Sequence, residues 1–413
     1  MTPKNVLVFP AGTEISQEIC NSLKYSKFVR LVGGASVDDH GAFLYDNCIN
    51  TFPYISEDCF VDYLNRIIDE EKIDYVYPAN DATLFLMSES RGRINAPVIA
   101  TDAKTVAICC SKNDTYRFLD GAWYLCRYFN SPDEVDCYPV FIKPSVGHSA
   151  IGAKKIDCAE DLKAALSCGT EYSVCEYLPG AEYTIDCFTD RHGTLRIVSP
   201  RTRDVIEAGI ATHSVMIECD EKIRAIADDL NSKLKFRGAW FFQVKKNASG
   251  EYRLMEIAPR IAGTMSVTRN RGMNMPMMTL FDFWDYDIDI LDNCSRVVLD
   301  RTFGRNFRIG CEFDTVYVDF EDTVVVDGKV VPELIRLLYQ LKNNGKKLYL
   351  LSDKELDPDS FAVPVTLFSG ILKRDTVLSS GSVLISGSPG AKKRCKQYNI
   401  PVFDLSMIEC LIT

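Results

Sequence analysis

Residues 138–156, YPVFIKPSVGHSAIGAKKI, decide how this chain is read. A short apolar strand ends on Lys143, a loop of small residues follows (Ser145, Gly147, Ser149, Gly152), and a second strand comes after it. The lysine supplies a point charge, and loop N–H groups unobstructed by side chains converge on the oxygens of a polyphosphate. A plain Gly/Ser hairpin beside a lysine has the same local sequence. His148 in the loop is either a further phosphate donor or an exposed loop residue.

Two downstream segments bear on that choice. Residues 173–186, SVCEYLPGAEYTID, read as two short strands around a Pro179-Gly180 turn. Glu176 ends an apolar strand, where a buried carboxylate is costly unless something donates to it. An adenine amino group is one such donor, and Glu182 is placed to take ribose hydroxyls; two solvated glutamates on an exposed hairpin are the alternative. Residues 240–264, WFFQVKKNASGEYRLMEIAPRIAGT, read as a hairpin carrying Gln243 and Glu256 inward, with Arg260 just beyond. Magnesium takes oxygen ligands and shares its shell between one or two carboxylates and substrate phosphates. A neighbouring arginine holds a transferring phosphoryl group.

In this order, Lys143 with its loop, Glu176-Tyr177-Leu178, Glu182, Gln243 and Glu256-Ile-Ala-Pro-Arg260 resemble the motif set of ATP-grasp enzymes, over roughly residues 4–290. The similarity is to the branch related to carbamoyl-phosphate synthase and the amino-acid ligases. Residues 5–12 (NVLVFPAG), Lys112 in SKNDTYRFL and residues 272–276 (GMNMP) extend it. The resemblance implies an ATP- and magnesium-dependent ligase that activates a small-molecule carboxylate as an acyl phosphate and joins it to an amine or a thiol, with an amine the expected nucleophile. On that reading Lys112 and Lys143 contact ATP phosphates, and residues 145–152, with Ser145, Gly147, His148, Ser149 and Gly152, close over them. Glu176, Tyr177 and Leu178 read adenine, and Glu182 the ribose. Gln243 and Glu256 hold magnesium, and Arg260 stabilises the acyl-phosphate transition state. Arg201 and Arg203 fall where related enzymes place substrate- or phosphate-binding arginines, and two surface arginines on a strand would look the same. One position departs: Ala258 stands where the family commonly has a metal-binding Asn. Water in place of the amide, a ligand from elsewhere, and lost activity are the three consequences open.

Composition narrows the rest. A chain of 413 residues exceeds a single core, so two to four domains are expected. A net charge of −10 argues against nonspecific nucleic-acid binding, and the run Lys392-Lys393-Arg394 reads as a solvated helix face. No apolar run reaches the roughly 18 residues that span a bilayer, and the N-terminus opens into a strand, so a cytoplasmic protein is expected. The 16 cysteines are scattered without a CxxC pair and are expected as thiols; the four histidines show no zinc spacing. A homodimer is the assembly expected from general frequency.

Strands at 5–9, 29–32, 75–77 and 98–100, with a helix over 58–71, predict a parallel sheet with covering helices. Residues 102–119 predict two short helices, and 120–290 a hairpin-rich clamp. Near residue 305 the pattern resets to βαβ, with strands at 315–319 and 347–351 and an amphipathic helix at 332–341. Val316-Tyr-Val-Asp319-Phe-Glu321-Asp322-Thr323 there resembles the first motif of haloacid-dehalogenase-like (HAD-like) phosphatases. The resemblance implies Asp319 as nucleophile, Glu321 where the acid/base aspartate belongs, Ser352 as the phosphate-binding hydroxyl and Lys373 as the phosphate lysine. Ser386-Gly387-Ser388 replaces the acidic magnesium ligands, so a silent tail with a structural, docking or ligand-binding role is expected, with phosphatase activity as the alternative. A nucleotide-binding sensor is the reading in which neither half is catalytic. The fold class expected is thus mixed α/β and α+β: a parallel-sheet domain over 1–110, an ATP-grasp clamp over 111–300 and a three-layer HAD-like domain over 311–413.

Overall fold

The computed structural model describes residues 2–147, 150–302, 304, 307, 309–326, 328–354, 363–388, 390–396, 398 and 400–412. The chain divides into two compact units, Met1–Thr302 and Phe303–Thr413. Among the described residues no helix is long and apolar enough to cross a membrane.

The first unit opens with β1 (Lys4–Phe9), β2 (Val29–Gly34), β3 (Cys48–Ile49) and β4 (Tyr75–Pro78), a parallel sheet ordered β3-β2-β1-β4. Alternation along β1 buries both faces. Val6 and Val8 pack with Ile15, Ile19 and Leu23 of α1 (Glu14–Leu23), while Leu7 and Phe9 pack with Phe60, Leu64 and Ile68 of α2 (Phe60–Glu70). Thr13 caps α1 by accepting the Ser16 N–H at 3.0 Å. The strand expected at 98–100 is reduced to one bridge, Val76 with Val98, because Pro97 lacks an N–H to extend the ladder. The helices α3 (Asp81–Glu89), α4 (Ala103–Cys110) and α5 (Lys112–Phe118) follow.

Two antiparallel sheets come next. The first holds β5 (Tyr128–Phe129), β6 (Val140–Pro144), β7 (Lys154–Ile156) and β8 (Tyr172–Glu176), ordered β5-β8-β6-β7 and covered by α6 (Ala159–Leu166). After β8 the chain crosses to β9 (Glu182–Thr189) and β10 (Leu195–Thr202), then the short β11 (Val205–Glu207) and β12 (Ile210–Val215), then α7 (Glu221–Lys233), β13 (Gly238–Lys246) and β14 (Tyr252–Ala258). The second sheet is ordered β10-β9-β13-β14. The strands on either side of Pro179-Gly180 therefore belong to different sheets rather than to one hairpin. Gly180 runs so close to β13 that a Cβ would lie 2.6 Å from the Lys246 Cβ. On β13, Trp240, Phe242 and Val244 face Ile223, Ile226 and Leu230 of α7. The opposite face, carrying Phe241, Gln243 and Lys245, is left for other work. The unit ends with α8 (Ser266–Asn270), α9 (Met275–Phe283) and β15 (Val298–Asp300).

The second unit holds β16 (Thr315–Asp319), a small hairpin of β17 (Val325–Val326) and β18 (Lys329–Val330), α10 (Pro332–Asn343), β19 (Lys347–Leu351), β20 (Gly370–Leu372), β21 (Ser382–Ile385), α11 (Ala391–Lys396) and β22 (Val402–Phe403). Its five-stranded sheet is parallel throughout, ordered β20-β19-β16-β21-β22. Val316 and Val318 bury against Leu334, Leu337, Leu338 and Leu341 of α10, and Tyr317 packs with Ala391 and Cys395 of α11 on the other face.

Candidate active site

One row of polar side chains crosses the second antiparallel sheet of the first unit. Arg201 on β10 pairs with Thr184 on β9, Thr184 with Gln243 on β13, and Gln243 with Glu256 on β14. Directly opposed residues share a face, so these four line it together. Among the described residues neither the Gln243 amide nor the Glu256 carboxylate has a hydrogen bond or ion pair. The Thr184 hydroxyl, in a residue 1% exposed, has no partner either. Buried polar groups are normally satisfied, so the orphaned Thr184 hydroxyl, beside the unmatched Gln243 and Glu256 oxygens, points to a ligand that accepts lone pairs.

The opposite wall is built on β6 and α5. Lys143 is 8% exposed; its Nζ donates to the Met255 carbonyl at 2.7 Å and lies 5.4 Å from the centre of the Tyr116 ring. Tyr116 Oη donates to the same carbonyl at 2.9 Å. These bonds tie β6 and α5 to the residue preceding Glu256. Lys112 Nζ donates to the Gly147 carbonyl at 3.1 Å. Burial pushes the Lys112 ammonium down; Glu256 pulls it up and Lys143 pushes it down further. Two lysines thus share a partly desolvated space with one unpaired carboxylate, an arrangement that favours an added polyanion. Ser145 is buried, with its Oγ 3.2 Å from the Ser111 Oγ. Gly152 has φ +75, and a Cβ there would lie 3.1 Å from Pro144 Cγ. His148 and Ser149 lie outside the described residues.

Arg260 makes a bidentate pair with Asp81, Nε to Oδ1 and Nη2 to Oδ2, both 2.6 Å. Burial pulls its guanidinium down, but Asp81, with Glu256 behind it, carries it above the ordinary arginine value. Asp81 opens α3, immediately beyond β4, and Asn80 caps that helix through Thr83 N–H at 2.7 Å. Sequence reasoning missed Asp81; its signal was an Asn-Asp pair at the carboxyl end of a parallel strand, where ligands of α/β sheets gather. Cys110 nearby is no nucleophile, since burial pushes its thiol up to about 12.

The remaining expected residues are already engaged within the chain. Glu176 Oε1 accepts the Arg127 N–H at 3.0 Å and lies 3.8 Å from Arg253 Nε. Tyr177 has Lys155 Nζ 5.4 Å from its ring centre, and Leu178 is buried beside Tyr116, Cys126 and Cys175. Glu182 pairs with Arg203 at 2.7 Å and Lys245 at 3.6 Å. Arg201, 1% exposed, donates to Asp186 and to Thr264, each at 2.8 Å, and its Nε is left unpartnered. Ala258 lies in the apolar core with Phe241 and Ile261 and brings no oxygen to the row.

The described residues contain no cluster of three His, Cys, Asp or Glu able to hold a metal by themselves. Gln243 and Glu256 offer unmatched oxygens, a set that suits magnesium, which takes one or two protein ligands and keeps waters and phosphates.

Residues 170–293 match a family model described as ATP-grasp in the biosynthetic pathway with Ter operon. No curated protein sequence matches the chain. Among solved structures, a β,γ-ATP complex of biotin carboxylase from Campylobacter jejuni is similar at 13% identity and TM-score 0.58, covering 70% of this chain and 72% of that one. An L-amino acid ligase from Bacillus licheniformis is similar at 16% identity and TM-score 0.56, covering 68% and 74%. An N5-carboxyaminoimidazole ribonucleotide synthetase in complex with ADP is similar at 14% identity and TM-score 0.60, covering 72% and 81%. At these identities the likeness is one of fold. The residues 170–293 that match the ATP-grasp model lie in the first unit.

Proposed function

We propose that the first unit is an ADP-forming ligase that joins a small-molecule carboxylate to an amine at the expense of ATP. The observation that carries this is the unpaired Gln243–Glu256 oxygen pair lying in the field of Lys112 and Arg260. Gln243 and Glu256 would hold magnesium, which neutralises phosphate charge as the phosphoryl group transfers. Lys112, Lys143 and the small residues Ser145, Gly147 and Gly152 hold the phosphates, with adenine against Glu176, Tyr177 and Leu178. The substrate carboxylate attacks the γ-phosphorus and ADP leaves. The amine then attacks the acyl carbon, phosphate leaves, and the amine gives up a proton. Arg260, held by Asp81, sits where charge develops on the acyl phosphate. Because the second unit's Asp319 is faced by arginines, we assign that unit no hydrolytic step.

A nucleotide sensor is the second reading, and it draws on Ala258, which leaves the row one amide short. A pairwise screen of acids and amines separates the two. The ligase releases ADP only when a competent acid and amine are both present, and Glu256→Ala abolishes that release. ATP binding with no ADP release from any pair would favour the sensor.

A further inference from the structure

The buried carboxylates of the second unit are already closed. Arg374, rather than its sequence neighbour Lys373, reaches Asp319, and Arg394 of the Lys392-Lys393-Arg394 run turns inward to the same oxygen instead of lying on a solvated face. Ser352 donates to Glu321 Oε1 at 3.0 Å. A pair of groups still free to react lies in the first unit, and both are thiols.

Cys126 and Cys175 are 2% and 4% exposed and share one buried cluster with Tyr116 and Leu178. Strand register brings them together. Tyr128 on β5 lies opposite Cys175 on β8, and the pairing continues past the strand, with the Glu176 N–H donating to the Arg127 carbonyl at 2.8 Å. Cys126, two residues before Tyr128, turns to the same side. Its thiol donates to the Cys175 sulfur. That bond, joined by the charge of Lys143, holds the Cys175 thiol below its ordinary value in spite of burial. The same bond, together with burial, pushes the Cys126 thiol up. A thiolate-prone sulfur touching a protonated one suits oxidation of the first and resolution by the second.

Cys126 also stands at a joint. Just before it, the Tyr124 carbonyl accepts the Leu254 N–H at 2.8 Å, and Leu125 bridges Leu254 of β14. Just after it, β5 joins β8. The segment therefore passes from the sheet that carries Glu256 to the sheet that carries Lys143. A disulfide holds its sulfurs about 2 Å apart, well inside hydrogen-bonding distance, so closing one moves this joint against Tyr116 and Leu178.

We propose that Cys126 and Cys175 are an oxidation site, closed to a reversible disulfide by a peroxide, and that closure weakens nucleotide binding in the first unit. The second half of this rests on the ATP site proposed above for that unit. The Cys175 thiolate attacks a peroxide oxygen, and the O–O bond breaks to give a sulfenic acid and water, which takes the proton the thiol gave up. The Cys126 sulfur then attacks the Cys175 sulfur, losing its proton as hydroxide leaves, and a second water forms. Two thiols are oxidised and one peroxide is reduced. Burial shuts out bulky reagents but admits hydrogen peroxide, which is little larger than water.

The full chain is treated with hydrogen peroxide, blocked with N-ethylmaleimide and mapped by mass spectrometry, with and without dithiothreitol. Mg-ATP is then titrated by calorimetry. A reducible Cys126–Cys175 cross-link is expected, with Mg-ATP affinity at least tenfold lower in the oxidised protein and restored by dithiothreitol. Cys126→Ser forms no such cross-link and keeps its affinity through the treatment, although the exposed Cys59, Cys137, Cys168, Cys219 and Cys294 meet the same oxidant. The map itself needs neither a variant nor nucleotide. A map without the Cys126–Cys175 cross-link, a cross-link that leaves affinity unchanged, or an equal loss of affinity in treated Cys126→Ser would each overturn the proposal. A reduced protein that takes up no Mg-ATP while the cross-link forms would instead overturn the nucleotide site and leave the oxidation site standing.

Discussion

Glu256 in the first unit and Asp319 in the second are both carboxylates borne on sheet strands, and both fall in motifs that resemble phosphoryl-transfer chemistry. Their surroundings are opposite. Glu256 has no hydrogen bond or ion pair among the described residues and stands beside an equally unmatched Gln243. Asp319 is buried beneath Ser386, Arg374 and Arg394. What a carboxylate can do depends on how many of its lone pairs the chain has already taken. The open one can receive a cation, and the closed one can only hold its neighbours in place.

The largest test of this contrast lies within the first unit, where the same sheet face carries a closed carboxylate, Asp186, bonded to Arg201 and Thr268. Arg201→Ala leaves that charge buried and unpaired, and is expected to cost about 3–5 kcal/mol in the first unit's melting transition. An effect below about 1 kcal/mol would mean that Arg201 is a ligand arginine after all. Next in size, Glu256→Ala should lower ADP release by on the order of 10²–10³-fold once a substrate pair is known. Its stability should stay within about 1 kcal/mol of wild type, because no hydrogen-bond partner is stranded. The matching cut in the second unit, Ser386→Ala, removes a bond to a buried charge and should cost about 1.5–3 kcal/mol. Equal melting shifts for Glu256→Ala and Ser386→Ala would erase the distinction.

The smallest effect is one of pH. The folded Lys112 loses its proton below its ordinary 10.5, with burial the main cause. In the window between its folded and unfolded values the unfolded chain binds more protons, so stability rises with pH there. Nucleotide binding favours the charged lysine, so affinity should fall by up to about tenfold per pH unit above the folded value. Lys112→Gln should flatten that profile, as calorimetry across a pH series would show.

The sequence made the strand-borne Lys143 and the Gln243–Glu256 hairpin legible because local patterning sets each of them: a strand ending on a small-residue loop, and two strands whose alternation turns both side chains the same way. Three things were beyond it. Asp81 meets Arg260 across 179 residues of chain, a contact no local pattern carries. Arg201 reads as a strand arginine and only packing shows it sealed against Asp186. Asp319 reads as the nucleophile position of a motif that already lacks its acid/base aspartate, but the arginines that close it arrive from 55 and 75 residues further on and no local pattern carries them.

The most direct test of the open site is titration of ATP, with and without magnesium, into the wild type and Lys143→Ala, with near-UV circular dichroism confirming that both are folded. The account predicts saturable, magnesium-dependent heat in the wild type and at least a tenfold loss of affinity in Lys143→Ala. A folded wild type that takes up no Mg-ATP, or a variant that binds it equally well, would contradict it.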